Sequence, residues 1–147
     1  MRLKRLWLTT IVIIILDQLT KIILTNKSYS ILGLGIINYT ENTGAAFSIL
    51  EGYQWLFITT AILALIVLFY YSRSIKENER TLQVLIGLMA GGMIGNLTDR
   101  IFLGYVRDFV DLKIWAVFNI ADSAVFVAVI ILSIYFIKEA FNKTTYH

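Results

Sequence analysis

Two aspartates near the start of the last apolar segment of this chain could do chemistry together. Asp108 lies in Val106-Arg-Asp-Phe109, and Asp122 ends Phe118-Asn-Ile-Ala-Asp122. No charged residue follows Asp122 until Lys138, so we expect its carboxylate at the rim of a membrane-spanning helix. Placing a carboxylate there costs free energy unless the group is paired, hydrated or part of a functional site. Two nearby carboxyl groups can share one proton, which is how aspartic proteases hydrolyse peptide bonds.

The composition indicates a small integral membrane protein. Hydrophobic residues make up 58% of the 147 residues, and the mean hydropathy is +0.73, whereas soluble domains average about 45–50% apolar residues. The chain has no cysteine and only one histidine, His147, which argues against a thiolate or histidine metal centre and against serine–histidine catalysis. The net charge of +3 is too small to suggest nucleic-acid binding. We predict one membrane-embedded domain over residues 1–147.

Four apolar blocks approach the ~20 residues that a helix needs to cross a bilayer. They cover approximately residues 6–24, 55–71, 82–101 and 117–137, so we expect an all-α integral membrane protein with four transmembrane helices. Lys and Arg are enriched before the first block, between the second and third, and after the fourth, which predicts that both termini are cytoplasmic. Between the first two blocks, β-branched residues and glycines in Ile31-Leu-Gly-Leu-Gly-Ile-Ile37 favour a small extracytoplasmic β-like segment.

Polar and small residues in these blocks suggest contacts between helices. Asp17 and Lys21 are spaced i, i+4, so they can pair on one face of the first helix. The pair is either a self-compensating ion pair or part of a polar site near the outer leaflet. In the third block, a row of small residues allows another helix to approach closely in lipid; it comprises Gly87, Gly91 and Gly95.

The third block changes from a packing surface to a polar surface towards its outer end. Gly92, Asn96 and Arg100 form a second row, and Asp99 lies three residues after Asn96. An ordinary helix end would explain Asp99 and Arg100. It explains Asn96 less readily, because an amide in lipid needs a hydrogen-bond partner.

The fourth block begins with polar residues that have two interpretations. Asn119 and Asp122 are spaced i, i+3. They could cap the helix N-terminus, where asparagine and a negative charge are both favourable, or they could belong to a site. Asp108 and Asp111 are expected in a loop, where a solvated aspartate is the commonest outcome, and we predict that Asp111 is such a residue.

Taken together, five blocks of this chain resemble the lipoprotein signal peptidases (signal peptidase II), a bacterial family of four-span aspartic peptidases. The resemblance covers nearly the whole chain, and the blocks follow one another in the family's order. They are Asp17-Gln-Leu-Thr-Lys21, Asn42-Thr-Gly-Ala-Ala-Phe47, Gly91-Gly-Met-Ile-Gly-Asn-Leu-Thr-Asp-Arg100, Val106-Arg-Asp-Phe109 and Phe118-Asn-Ile-Ala-Asp122.

The resemblance implies that Asp108 and Asp122 are the catalytic pair of an aspartic endopeptidase that uses neither metal nor cofactor. It also implies a set of substrate-binding or supporting residues, which here are Asp17, Lys21, Asn42, Gly44, Gly92, Asn96, Asp99, Arg100 and Asn119. Among these, Asp99 would support the site rather than perform chemistry.

The implied substrate is a prolipoprotein that carries diacylglyceryl on a cysteine, and cleavage before that cysteine would remove its signal peptide. The protein would lie in the bacterial cytoplasmic (inner) membrane, in contact with membrane lipid, with the active site near the extracytoplasmic face. Globomycin-type inhibitors would bind it. On composition alone, two alternatives stay open: a small four-helix proton-coupled transporter or channel, and a structural membrane protein without activity.

Overall fold

The computed structural model describes residues 3–30, 36–45 and 49–145. Within these ranges, four helices are long and apolar enough to cross a membrane, which confirms the predicted four-helix membrane fold. They are α1 (Lys4–Leu24), α2 (Gln54–Ser72), α3 (Arg80–Phe102) and α4 (Ile120–Thr145).

The fourth helix differs most from its predicted bounds, because it begins at Ile120 rather than at residue 117 and continues to Thr145. The late start has a local cause. Phe118 exchanges main-chain hydrogen bonds with Val110, at 2.8 Å and 3.1 Å, so its backbone is extended rather than helical. This bridge holds the chain just before α4 against the strand that contains Asp108.

Helix α3 is at the centre of the bundle and packs against the other three helices. In its most apolar stretch 44% of the residues are buried, compared with 6% in α2, which contacts α3 and otherwise presents apolar side chains outward. The predicted glycine row faces α1. A Cβ added at Gly87 would lie 2.7 Å from the main-chain oxygen of Leu6, and one at Gly95 would lie 2.5 Å from the carboxylate of Asp17.

Gly92 lies on the face of α3 that packs against α4. A Cβ at this position would collide with the main-chain oxygen of Ala121 in the first turn of α4. Glycine therefore allows α3 to approach α1 and α4 at the same time, as small residues do between helices in lipid. This brings the C-terminal ends of α1 and α3 and the N-terminal end of α4 together.

A three-stranded antiparallel sheet packs against α1 and α3 through one of its edge strands. Its strands, in sheet order, are β1 (Ser28–Ser30), β2 (Ile36–Asn42) and β3 (Val106–Asp111). The sheet confirms the β-like segment predicted between the first two helices, although residues 31–35 of that segment lie outside the described residues. Its third strand comes from the connection between α3 and α4, which the sequence did not suggest. Thr40 pairs with Asp108 next to an irregularity in the β2–β3 register, and such irregularities often adjoin functional sites.

Candidate active site

Asp108 is a buried strand residue and not a solvated loop residue. It lies in the middle of β3, and only 2% of its surface is exposed. Each of its carboxylate oxygens accepts a hydrogen bond, from Asn119 Nδ2 at 2.6 Å and from Asn42 Nδ2 at 2.9 Å. The expectation of a loop was wrong because β2, which pairs with β3, is distant in the sequence.

Asp111 also differs from its prediction as a solvated residue. Its carboxylate accepts hydrogen bonds from Lys113 Nζ at 2.7 Å and from Asn38 Nδ2 at 3.0 Å, and only 7% of the residue is exposed. The hydrogen bond from Asn38 joins the far end of β3 to β2. Asp111 therefore stabilises the strand and does not face the cavity described below.

Asp122 lies in the first turn of α4 and is tied to both α3 and its own helix start. Asn96 Nδ2 donates to its Oδ1 at 2.7 Å, and the main-chain N–H of Asn119 donates to its Oδ2 at 3.1 Å. In return, Asn119 Oδ1 accepts a hydrogen bond from the main-chain N–H of Asp122 at 2.9 Å. This reciprocal pattern is a capping box, so the capping interpretation of these two residues is confirmed.

Asn119 joins the two aspartates. Besides capping α4, its Nδ2 donates to Asp108 and, at 3.0 Å, to Asn96 Oδ1. The side chain is fully buried, so its position is fixed by these contacts. Capping and membership of the site are therefore compatible roles for the same residue.

The two aspartates line one cavity of about 890 Å³. Much of its wall is apolar and comes from three helices, including Phe57 of α2, Leu97 of α3 and Phe126 of α4. Seven of the residues singled out in the sequence line this cavity: Asn42, Gly44, Gly92, Asn96, Arg100, Asp108 and Asp122.

The other residues singled out in the sequence lie behind the cavity wall. Lys21 Nζ lies 2.8 Å from Asp17 Oδ2 and 3.3 Å from Asp99 Oδ2, and it donates to Asn96 Oδ1 at 2.9 Å. Asp17 and Lys21 are fully buried, and Asp99 is 1% exposed. The predicted pairing of Asp17 with Lys21 is confirmed. Asp17 also accepts a hydrogen bond from the main-chain N–H of Ala121 at 3.0 Å, so it anchors the start of α4.

Two residues of this network were not recognised in the sequence. Arg107 Nη2 lies 2.7 Å from Asp99 Oδ1 and donates to Gln18 Oε1 at 2.8 Å. Both residues lie inside blocks already quoted, directly beside Asp108 and Asp17. The sequence does show a cation, Arg107, beside a candidate catalytic aspartate. It does not show where the Arg107 side chain points, because that depends on the strand register.

The surroundings of Asp108 raise its pKa from the usual value to about 7. Burial is the main cause, because it disfavours the charged carboxylate, and the negative charge of Asp122 acts in the same direction. The hydrogen bonds from Asn42 and Asn119 and the charge of Lys21 oppose the shift without cancelling it. Asp108 can therefore hold a proton near neutral pH.

Arg100 and Asn42 border the cavity in different ways. Arg100 Nη2 donates to the main-chain oxygen of Gly44 at 3.1 Å, and its guanidinium lies 4.9 Å from the ring centre of Phe57. Its buried Nε has no hydrogen-bond partner among the described residues. Asn42 donates to Asp108 and accepts from the main-chain N–H of Gly44. Residues 46 and 47, the end of the block that contains Asn42, lie outside the described residues.

The chain is similar to known proteins over most of its length. Residues 9–138 match the profile of the signal peptidase (SPase) II family. The chain is 42% identical over 136 residues to the lipoprotein signal peptidase of Clostridioides difficile strain 630, covering 87% of this chain and 91% of that relative. It is 40% identical over 137 residues to the lipoprotein signal peptidase of Syntrophomonas wolfei, covering 88% and 91%.

Solved structures give the same result for the fold. A bacterial membrane enzyme determined by the in meso method at 2.3 Å resolution superimposes with a TM-score of 0.85, at 35% sequence identity, covering 92% of this chain and 89% of that chain. A second bacterial membrane enzyme, at 1.9 Å resolution, gives a TM-score of 0.80 at 34% identity, covering 89% and 91%.

Proposed function

This chain belongs to the signal peptidase II family, and from that premise we propose that Asp108 and Asp122 form the catalytic pair of an aspartic endopeptidase. The protein is a multi-pass membrane protease, and its reaction is the removal of signal peptides from prolipoproteins. The observation that supports the catalytic assignment most directly is that both aspartates line the same largely apolar cavity.

The proposed reaction needs one proton shared by two carboxyl groups. The ionised carboxylate takes a proton from a water molecule while the water oxygen bonds to the carbon of the scissile peptide. The protonated carboxyl group donates its proton to the carbonyl oxygen, which stabilises the tetrahedral intermediate. When the C–N bond breaks, the leaving amine receives the proton that was taken from water, and the hydroxyl formed from the carbonyl oxygen returns its proton to the carboxylate that donated it, so the pair again holds one proton. The raised pKa of Asp108 supports a singly protonated pair at neutral pH.

The apolar wall of the cavity suits a substrate that arrives from lipid. We infer that the substrate is a prolipoprotein whose cysteine carries diacylglyceryl, and that cleavage occurs before this cysteine. Its acyl chains would pack along residues such as Leu97 and Phe126, the second of which is 63% exposed on the outside of α4. In the proposed orientation both termini are in the cytoplasm, and the aspartates lie near the extracytoplasmic face of the bacterial inner membrane.

Two polar residues at the cavity are proposed to act beside the pair. Arg100 Nε has no partner among the described residues, so it is free to donate to a peptide carbonyl of the substrate. Asn42 already uses its oxygen for Gly44 and one N–H for Asp108. We infer that it mainly orients Asp108, with one N–H remaining for a substrate carbonyl.

The test is cleavage of a lipidated precursor peptide by purified protein in detergent, followed by mass spectrometry. We expect the D108N and D122N variants each to lose at least about 10³-fold in kcat, because removal of a general acid or base from a coupled pair disables the whole unit. D111N is the matched control, because Asp111 lies on the same strand away from the cavity. Full cleavage by either folded active-site variant would remove that aspartate from the pair.

The same assay addresses the two alternatives. A transporter or channel that relays protons needs ionisable groups at several depths, yet α2 contains no Asp, Glu, Lys or Arg at all. The family matches give this alternative no support. A structural protein without activity would fold and show no turnover in the wild-type form.

We also propose that globomycin-type inhibitors bind in this cavity and compete with the substrate. A thermal shift of the wild-type protein on addition of globomycin, together with inhibited cleavage, would support this. Unchanged cleavage at saturating inhibitor would contradict it.

A further inference from the structure

Arg107 directly precedes Asp108 in the sequence but contacts a different set of residues. Its side chain donates to Asp99 through Nη2 at 2.7 Å and through Nε at 3.2 Å, and its main-chain N–H donates to the same carboxylate at 3.0 Å. Successive side chains of a strand point to opposite faces. Arg107 therefore lies behind the cavity wall, whereas Asp108 lies on it.

The partners of Arg107 belong to two helices. Asp99 lies in the last turn of α3 and is itself held by Lys21 of α1. Gln18 of α1 accepts from Arg107 Nη2 at 2.8 Å and donates to the main-chain oxygen of Gly95 at 3.1 Å. The guanidinium thus connects β3 to both α1 and α3.

The main chain of Arg107 is held on both sides. Its N–H is bound by Asp99, as described above, and its carbonyl oxygen accepts a hydrogen bond from Asn119 Nδ2 at 3.4 Å. The carbonyl of Arg107 belongs to the peptide unit that leads into Asp108. These two hydrogen bonds restrain the rotation of that peptide unit, which would redirect the Asp108 carboxylate.

We propose that Arg107 is a positioning residue for peptide hydrolysis, which fixes β3 against α1 and α3 through Asp99 and Gln18 so that Asp108 faces the cavity. This inference depends on the proposed catalytic role of Asp108. The planar guanidinium is suited to the task because it can donate to a carboxylate and to a neighbouring amide in fixed directions, whereas an ammonium group acts as a point charge.

The experiment measures kcat and KM for cleavage of the lipidated precursor peptide by R107Q and R107K. Arg107 does not line the cavity, so we expect KM to change less than threefold. We expect kcat to fall about 10–100-fold in R107Q, because a misplacement of about 1 Å can cost that much. R107K retains the positive charge but not the planar guanidinium with its fixed donor directions. Its kcat should therefore lie between that of R107Q and the wild type.

The matched control is K113Q. Lys113 also forms an ion pair of 2.7 Å next to β3, but its side chain is 57% exposed and its partner is Asp111. We expect wild-type kcat and KM for this variant. A loss equal to that of R107Q would show that any cation removed near β3 has the same effect, and would overturn the proposal.

The double variant D99N/R107Q tests whether the two residues act as one unit. If Arg107 works through Asp99, the double variant should lose about as much kcat as the more damaged single variant. If the fold-loss of kcat in the double variant equals the product of the losses in D99N and R107Q, the residues act independently, and this would overturn the proposal.

The remaining outcomes separate this inference from the proposed function. If the wild type does not cleave the precursor, the proposed function itself fails. If the wild type cleaves and folded R107Q or R107K retains full kcat, only the positioning role fails. If neither variant folds, as judged by thermal unfolding in detergent, Arg107 has a purely structural role and the positioning role is overturned.

Discussion

Asn119 donates a hydrogen bond of 2.6 Å to the carboxylate of Asp108. The oxygen of the same amide accepts the main-chain N–H of Asp122. One side chain thus contacts the strand and the helix that supply the proposed catalytic pair. The Asn119 side chain is fully buried, so water cannot replace these hydrogen bonds. The cap of α4 and the alignment of Asp108 therefore depend on the same amide group.

The two contributions of Asn119 can be separated by substitution. N119A should lower the free energy of unfolding by about 0.5–2 kcal/mol, the usual cost of a lost N-cap, and should reduce kcat more than tenfold. N119S restores a capping oxygen but not the amide donor, so it should recover stability without recovering kcat. Thermal unfolding and cleavage kinetics on the same preparations provide the check. Wild-type kcat in N119A would contradict the alignment role.

The activity should decline at alkaline pH. The proposed reaction needs one proton on the pair, and the pKa of Asp108 is raised to about 7. Above that pH the last shared proton is lost, and kcat/KM should fall up to tenfold per pH unit. A profile of kcat/KM between pH 5 and 9 tests this. A flat profile over that interval would contradict the shared-proton mechanism.

The same pKa shift links stability to pH. Between the ordinary carboxyl pKa of about 4 and about 7, folded Asp108 keeps a proton that the unfolded chain has already released. The free energy of unfolding should therefore fall as the pH rises through this window. Above it, the ionisation of Asp108 should cause no further change with pH. D108N removes this contribution, so its stability advantage over the wild type should grow from pH 4 to 7. An advantage that is the same at both pH values would contradict the shift.

Removal of the Lys21 charge should destabilise the fold. Its ammonium group is the contact between the buried carboxylates of Asp17 and Asp99. K21M should therefore cost about 3–5 kcal/mol, as the loss of one partner of a buried ion pair does. K27M removes an exposed lysine near the same helix end and is the control. The double variant K21M/D17N should regain part of the loss, and equal unfolding of K21M and wild type would contradict the expected cost.

The glycines that face α1 and α4 should respond differently to a methyl group. G87A introduces a contact of 2.7 Å with Leu6 near the end of α1 remote from the cavity, whereas G92A collides with Ala121, next to Asp122. Each should destabilise the protein by about 1–3 kcal/mol through overpacking. Only G92A should also reduce kcat in the folded fraction, by more than tenfold. Equal kcat in the two variants would contradict a link between α3–α4 packing and the site.

Features that depend on local spacing were predictable from the sequence. The four spans follow from the length of the apolar blocks, because a bilayer requires about 20 such residues. The Asp17–Lys21 pair follows from helical spacing, and the close approach of another helix to α3 follows from the small residues of the Gly87 row, although the sequence did not identify α1 as that helix. For the same reason the reciprocal capping by Asn119 and Asp122 was one of two stated interpretations.

Features that depend on pairing between distant segments were not predictable. The burial of Asp108 results from the pairing of β3 with β2, and a one-residue change in that register would exchange the directions of Arg107 and Asp108. The late start of α4 results from the hydrogen bonds between Phe118 and Val110. No pattern within a single block contains this information.

The buried cluster of Asp17, Lys21, Asp99 and Arg107 contains two acids and two bases, so its formal charges cancel. Opposite charges held in contact produce a field that decays quickly with distance. Dissolved ions cannot enter this interior to screen it. The reaction step should therefore depend little on ionic strength.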